Sequence, residues 1–272
     1  MGFTSISHVI LFPFMSNGHT IPLLHLAHLL LLLPRIAVTV FKTPANRPFI
    51  SNFLVNTTAS IVDLPFPENV TGISPGIEST DKLPSTSLGF EHAVQDMPRA
   101  SFLVSYGFLW WTLESATKFG FPRSVFVHQL LNGPESDDEL ITVTGFPWIR
   151  LTRNAFDPLF KNVEPKGPQF ELLMDQVIAT SNSYGTIANS FYELGPVFVE
   201  HLNREAKHKV WCVGPLCLAD RTRVQLQKPT WIEWLDQKLK QGRSVMYVAF
   251  GIQAEISPEQ LKEISSGLEE SN

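Results

Sequence analysis

The chain has 272 residues, 44% of them hydrophobic, which is enough for one large domain or for one domain and part of a second. Its 21 basic and 26 acidic residues give a formal charge of −5 without a long basic run, which argues against a nucleic-acid-binding surface. Two cysteines, Cys212 and Cys217, have no further metal ligands at suitable spacing, so we expect no metal, no disulfide framework and a cytoplasmic location.

The N-terminal segment lacks the features of a signal peptide and of a membrane span. Its first apolar stretch follows no basic region and contains Pro13. The leucine-rich run 23–33 carries His25 and is about half as long as the ~20 residues that a span requires. We therefore expect a buried helix there and no transmembrane segment.

Short apolar runs rich in β-branched residues alternate with helical segments over residues 1–213. The predicted strands are 8–14, 36–41, 60–64, 102–105, 125–127, 186–189 and 210–213, and the predicted helices are 20–33, 108–119, 170–181 and 195–206. This alternation is typical of parallel strands joined by crossover helices. The strands are apolar throughout, which indicates that both faces of the sheet are covered. The sequence thus predicts an α/β fold with a Rossmann-like, doubly wound parallel sheet.

The composition changes after residue 213. Residues 214–243 mix prolines, charges and a short amphipathic segment, which favours a linker between domains. Residues 244–272 contain an apolar run, 245–250, that predicts a strand, and then a helical segment. We expect these residues to be the first strand and helix of an incomplete second domain.

The last helix has a clear start signal. Ser257 is a suitable N-cap, Pro258 suits the first helical position, and Gln260 completes a capping box. Leu261, Ile264 and Leu268 recur at helical spacing and form one apolar stripe. Because the sequence offers this stripe no partner, we expect it either to remain partly exposed or to fold back on the linker, and to leave an apolar patch prone to association.

His19 lies where the first strand gives way to the first helix. If Thr20 or Asn17 caps that helix and Pro22 lies in its first turn, His19 stands at the carboxyl end of the strand, beside the helix N-terminus. Ligands bind at this edge of open α/β sheets, and the positive end of the helix dipole disfavours an imidazolium ion. His19 is therefore either a general base facing a ligand or a histidine that hydrogen-bonds a loop.

Six segments, in this order, resemble the N-terminal half of the plant UDP-glycosyltransferases of family 1. They are HVILFPFMSNGHTIPLLHLAHLL, AVTVFKTPANRPFI, SYGFLWWTLESATKFGFPR, IANSFYELGP, WCVGPL and SVMYVAFGIQAEISPEQLKEISSGLEES. The resemblance implies the N-terminal half of a GT-B fold, in which two Rossmann-like domains face each other. The N-terminal domain of such proteins binds the acceptor and the C-terminal domain binds the UDP-sugar.

The resemblance also implies a reaction and a set of site residues. The histidine that matches His19 deprotonates an acceptor hydroxyl, which attacks the sugar of a UDP-sugar with inversion. The donor would be a UDP-sugar such as UDP-glucose, the acceptor a flavonoid or other phenol, and no cofactor would be needed. Gly18, Gly251, Ile252 and Gln253 match positions on the phosphate side of the UDP-sugar. The aromatic residues that either wall the acceptor pocket or belong to the core are Phe14, Phe90, Trp110, Phe146 and Trp148.

Several positions depart from the family pattern. Tyr106 occupies the place of an aspartate that orients the catalytic imidazole, unless another acid, Glu114 or Asp96, serves instead. Ile252 replaces a small hydroxyl residue, the signature box for the nucleotide sugar is absent, and the chain is shorter near residues 88–89 and 128–132. We therefore expect a truncated or degenerate member that is weakly active or inactive alone. The alternative is a non-catalytic remnant that binds a small molecule or another protein.

Overall fold

The computed structural model describes residues 6–44, 46–65, 84–126, 140–143, 145–152, 166–218, 229–250 and 256–271. The strands are β1 (Ser7–Phe12), β2 (Ile36–Lys42), β3 (Ser60–Asp63), β4 (Phe102–Tyr106), β5 (Arg123–Phe126), β6 (Ile141–Val143), β7 (Phe146–Leu151), β8 (Gly185–Ala188) and β9 (Lys209–Cys212). The α-helices are α1 (Asn17–Leu31), α2 (Arg47–Phe53), α3 (Ser87–Gln95), α4 (Thr112–Phe119), α5 (Pro168–Ser181), α6 (Pro196–Glu205), α7 (Thr230–Lys240) and α8 (Pro258–Glu270). Among these described helices, none is both long and apolar enough to cross a membrane.

Seven strands form one parallel sheet in the order β3-β2-β1-β4-β5-β8-β9, and β6 and β7 form a separate antiparallel pair. In the sheet, Val9 of β1 lies beside Val38 of β2 on one side and Phe102 of β4 on the other. The predicted α/β class and its parallel sheet are confirmed. Burial accounts for the central strands: five of the six residues of β1 are buried, and β2 and β4 are buried over most of their length, whereas the edge strands β3 and β9 are more exposed.

The chain reverses its direction of winding between β1 and β4. It passes from β1 through α1 to β2 on one side, and from β4 through α4 to β5 on the other. Because such crossovers are right-handed, α1 and α4 cover opposite faces of the sheet. In agreement with this, α1 contacts α2, whereas α3 contacts α4. The carboxyl ends of β1 and β4 therefore flank the topological switch point, where open α/β sheets bind ligands.

The main core includes a group of aromatic rings in contact with one another. Phe12 of β1 lies 5.7 Å from Phe41, 5.6 Å from Phe90 and 5.8 Å from Trp111, measured between ring centroids. Phe90 is fully buried in this group. Because α3 turns the Phe90 ring into the core, this residue has the second of the two roles that the sequence left open.

The start of α1 differs from its predicted start. Ser16, rather than Asn17 or Thr20, is the N-cap, and Pro22 lies inside the helix. Thr20 is buried within the first turns, and its hydroxyl donates to the carbonyl of Phe14 at 2.6 Å. This bond ties the loop after β1 to the helix that follows it.

The chain divides into two compact units, Met1–Arg221 and Thr222–Asn272. In the second unit, the predicted capping box of α8 is present: Ser257 accepts from the Gln260 N–H, and the Gln260 side chain accepts from the Ser257 N–H. The predicted strand 245–250 is not formed, since residues 243–250 have no regular secondary structure. A strand needs a neighbour for its backbone groups, and the described residues of this unit supply none.

Candidate active site

His19 is the third residue of α1 and lies directly beyond the carboxyl end of β1. Its backbone N–H donates to the carbonyl of Ser16 at 2.9 Å, which fixes the residue in the first helical turn. The side chain is half-buried. The structure thus places the imidazole at the switch point and beside the positive end of a helix dipole, as the sequence predicts.

Three aromatic rings surround the imidazole, and we name Phe14, His19, Tyr106 and Phe108 the aromatic cluster. The ring centroid of His19 lies 4.2 Å from that of Tyr106, 5.4 Å from Phe14 and 5.8 Å from Phe108. Phe14 and Phe108 are themselves in contact at 4.9 Å. The cluster combines a polar, half-buried imidazole with apolar walls, which suits a small aromatic or otherwise apolar ligand.

Phe108 is a member of this cluster that sequence reasoning missed. It lies two residues beyond the end of β4, in the segment between β4 and α4. Its position just after Gly107, at the carboxyl end of a buried strand, was the available signal. Of the predicted wall residues, Phe14 lies in the cluster, where the bond from Thr20 holds its carbonyl.

Tyr106 ends β4 and is almost entirely buried, with 3% of its surface exposed. Burial raises the pKa of its phenol to about 12, so the group is neutral near pH 7. A neutral phenol can donate and accept hydrogen bonds, but it carries no negative charge that would stabilise an imidazolium ion. The two acids considered as substitutes, Glu114 of α4 and Asp96 at the end of α3, are both exposed.

The remaining predicted site residues are dispersed. Trp110 is half-buried against the main core, and Gly18 is exposed with open space around it. Phe146 packs on Phe198 of α6 at 4.8 Å, and Trp148 next to it is exposed. The structure therefore does not place Phe146 and Trp148 in the aromatic cluster. Gly251, Ile252 and Gln253 lie outside the described residues.

A surface cleft of about 500 Å³ lies away from His19, between α6 and β9. Its lining includes Tyr192, Asn203, Lys209 and Trp211, none of which is a predicted site residue. The position of His19 at the switch point is the stronger indication of a reaction site, because it unites a titratable group with the edge at which this fold binds ligands.

The parallel sheet and the histidine at its switch point define the class of protein, a Rossmann-like α/β domain. No protein-family model matches the chain. The chain is 50% identical to UDP-glycosyltransferase 90A1 of Arabidopsis thaliana, in an alignment that covers 97% of this chain and 63% of the relative. It also matches the structure of UGT73P12 from Glycyrrhiza uralensis, solved with glycyrrhetinic acid 3-O-monoglucuronide, with a TM-score of 0.77 and 25% identity over 98% of this chain and 61% of that one. The structure of Arabidopsis thaliana UGT89C1 with UDP-L-rhamnose gives a TM-score of 0.69 and 25% identity over 99% of this chain and 63% of that one.

The chain belongs to the plant UDP-glycosyltransferases. It spans less than two thirds of the length of the relative 90A1. The alignment with this relative extends over 300 residues, more than the 272 of this chain, so the relative has insertions within the matched region. This agrees with the prediction that the chain is internally shorter than its relatives.

Proposed function

We propose that the chain is the acceptor-binding part of a UDP-glycosyltransferase, which transfers a sugar, glucose in the first instance, to a hydroxyl of a small phenolic or polycyclic plant metabolite. The single observation that carries this proposal is the half-buried imidazole of His19, set among aromatic rings at the topological switch point. The ligands in two solved relatives, glycyrrhetinic acid 3-O-monoglucuronide and UDP-L-rhamnose, support an apolar acceptor and a UDP-sugar donor.

In the proposed reaction, His19 acts as the general base. A phenolic hydroxyl has a pKa of about 10, so a neutral imidazole accepts its proton as attack proceeds and contributes about 10²–10⁴-fold to the rate. The acceptor oxygen forms a bond to the anomeric carbon while the bond from that carbon to UDP breaks, and UDP leaves from the opposite face. The sugar is thereby inverted, and the proton resides on His19.

Tyr106 lowers the rate that we expect from this site. The developing imidazolium ion requires a partner with negative charge, and the buried phenol remains neutral. By analogy with triads that lose their carboxylate charge, the penalty is of order 10⁴. The chain alone should be weakly active or inactive, since binding the acceptor does not by itself stabilise the transition state.

Transfer assays test the role of His19. The 272-residue chain would be assayed alone and after extension at its C-terminus with the remaining third of UDP-glycosyltransferase 90A1. With UDP-glucose and quercetin as probes, mass spectrometry should detect glucoside from the extended chain, and His19→Gln should lower that rate at least ~10²-fold. His92→Gln, at an exposed histidine of α3, is the matched control. Equal rates for His19→Gln and the control would refute the proposal.

The neutral Tyr106 favours a second candidate, a binding module without catalysis. Calorimetry separates the two candidates: heat with quercetin but none with UDP-glucose, and no glucoside from the extended chain, would support the module. Tyr106→Asp should raise transfer in the extended chain, because a carboxylate beside His19 stabilises the imidazolium ion. The same substitution should not produce transfer in the chain alone. Glucoside formation by the chain alone at a rate comparable to that of the extended chain would contradict the expectation that the chain alone is weakly active or inactive.

A further inference from the structure

Arg123, the first residue of β5, is the largest fully buried side chain in the described structure, with 1% of its surface exposed. No Asp or Glu pairs with it in the part of the chain that the structure describes. Burial lowers the pKa of the guanidinium to about 9, which leaves the group charged near pH 7. A buried, charged group without an acidic partner is costly, so its hydrogen-bond acceptors deserve a functional explanation.

The acceptors of Arg123 belong to two separate parts of the fold. Nε donates to the Ser105 hydroxyl at 2.7 Å, and Nη2 points to the carbonyls of Tyr106 at 3.5 Å and Leu109 at 3.4 Å. Nη1 donates to the Ser183 hydroxyl at 2.9 Å, between α5 and β8. The guanidinium group thus connects the end of β4 and the segment after it to Ser183, which lies just before β8.

A chain of hydroxyl groups extends this network. Thr112 donates its one hydroxyl proton to the carbonyl of Leu109 at 2.6 Å. Ser105 therefore donates to the Thr112 hydroxyl, at 2.8 Å, while it accepts from Arg123. The carbonyl oxygen of Leu109 thus accepts hydrogen bonds both from the Thr112 hydroxyl and from Nη2 of Arg123. The network fixes the backbone of the turn between Tyr106 and Leu109, in which Leu109 N–H also donates to the carbonyl of Tyr106 at 3.0 Å.

We propose that Arg123 is a positioning residue that holds the turn Tyr106–Leu109, and with it the rings of Tyr106 and Phe108, against His19. Two of the four members of the aromatic cluster are carried by the turn that Arg123 binds. Arg123 reaches the cluster only through the turn. The expected effect of Arg123 on catalysis rests on the proposed function, whereas its role in placing the rings of Tyr106 and Phe108 does not.

The first test reads the environment of His19 directly. Histidine ring protons of the 272-residue chain would be recorded by NMR, with the His19 signal assigned from His19→Gln. In Arg123→Lys, an ammonium group cannot span Ser105 and Ser183 as the planar guanidinium does, so the turn should relax and the His19 ring signal should shift. Ser183→Ala removes only the hydrogen bond that Arg123 makes outside the turn, so it should give a smaller shift of the His19 signal in the same direction. Arg204→Lys, at an exposed arginine of α6, is the matched control and should give none.

The second test separates positioning from stability. In the chain extended with the remaining part of 90A1, Arg123→Lys should lower kcat by about 10²-fold with little change in KM, as misplaced catalytic groups do. An Arg123→Lys protein that unfolds more readily, yet keeps the wild-type His19 signal and kcat, would show a purely structural role and overturn the proposal. If His19→Gln retains transfer while Arg123→Lys still shifts the His19 signal, the proposed function fails and the positioning role stands.

Discussion

Two buried residues near His19, Tyr106 and Arg123, determine which charges lie close to the imidazole. Tyr106 lies against the imidazole as a phenol that keeps its proton, and Arg123 lies behind the same turn as a cation satisfied by oxygens of hydroxyl and carbonyl groups. Among the described residues, apolar rings, a neutral phenol and a hydrogen-bonded turn therefore lie around the imidazole. Under the proposed function, the neutral phenol gives less electrostatic support to proton transfer than a carboxylate in its place would give.

The buried phenol of Tyr106 should make folding sensitive to alkaline pH. Its folded pKa of about 12 exceeds the usual value of 10, so its contribution to stability is complete below pH 10 and is lost as the pH rises toward 12. Urea denaturation at pH 9, 10 and 11 should show a fall in the free energy of unfolding that is smaller in Tyr106→Phe. Tyr247→Phe, which removes an exposed phenol, is the matched control. Parallel curves for wild type and Tyr106→Phe would contradict the assignment.

The place of His19 at the sheet edge was predictable from the sequence, whereas the contact of Phe108 with His19 and the burial of Arg123 were not. The strand-to-helix junction and the helix start are local patterns, and they place His19 at a sheet edge. Phe108 reaches His19 only because β1 and β4 are neighbours in the sheet, a long-range fact. Arg123 follows a proline at a strand start and looks like a surface cation, since arginine is rarely buried without an acidic partner.

At the scale of elements, continuous apolar runs were sufficient to predict the strands of the sheet, because buried parallel strands have no polar face. Helices α2 and α3 were missed since they are short, 7 and 9 residues, and contain few periodic apolar positions. The run 245–250 has the pattern of a strand, but the described residues of its unit contain no strand with which it could pair. Local patterns thus predict elements well where the fold supplies the partner that the pattern assumes.

The capping box of α8 provides a test at one helix end. Ser257→Ala removes the acceptor for the Gln260 N–H and should cost about 1 kcal/mol of helix stability, since the donor loses its partner. Hydrogen exchange of the first-turn amides of α8 should then accelerate about fivefold. Ser265→Ala, in the middle of the same helix, should not accelerate exchange. Unchanged exchange in Ser257→Ala would show that the cap contributes nothing in solution.

The edge strand β9 is protected by a side chain of α6. Asn203 accepts from the Val210 N–H at 2.8 Å and donates to the Val210 carbonyl at 3.3 Å, as a neighbouring strand would. Asn203→Ala should destabilise the chain by about 1–3 kcal/mol and promote self-association through the exposed edge. Asn203→Asp keeps an oxygen that can accept from the Val210 N–H, so it should lower the free energy of unfolding by less than Asn203→Ala does. Sedimentation and urea denaturation measure both effects, and a stable, monomeric Asn203→Ala protein would contradict this role.

At the scale of the whole molecule, the two units differ in how they are stabilised. The first unit has a continuous core of buried side chains, whereas the described helices of the second unit, α7 and α8, contain no buried residue. Leu261, Ile264 and Leu268 are 47%, 36% and 42% exposed, as the sequence predicted. Cooperative unfolding should therefore belong to the first unit alone.

Replacing Leu261, Ile264 and Leu268 together by Gln should reduce binding of a hydrophobic dye and weaken any self-association, because the exposed apolar stripe is removed. The melting temperature of the first unit should not change. Leu32→Gln, at an exposed leucine beyond α1, is the control for loss of an isolated apolar side chain. Undiminished dye binding in the triple variant would show that this stripe is covered in solution.

The position of β1 between β2 and β4 also determines when the aromatic cluster can form during synthesis. Its neighbours are β2 and β4, and the aromatic cluster joins residues near position 19 to residues near position 106. At ribosomal speeds of about 5–20 residues per second, these two groups are made roughly 4–17 seconds apart. A nascent polypeptide thus exposes the His19 imidazole to water until β4 emerges and docks, and the aromatic cluster forms only then.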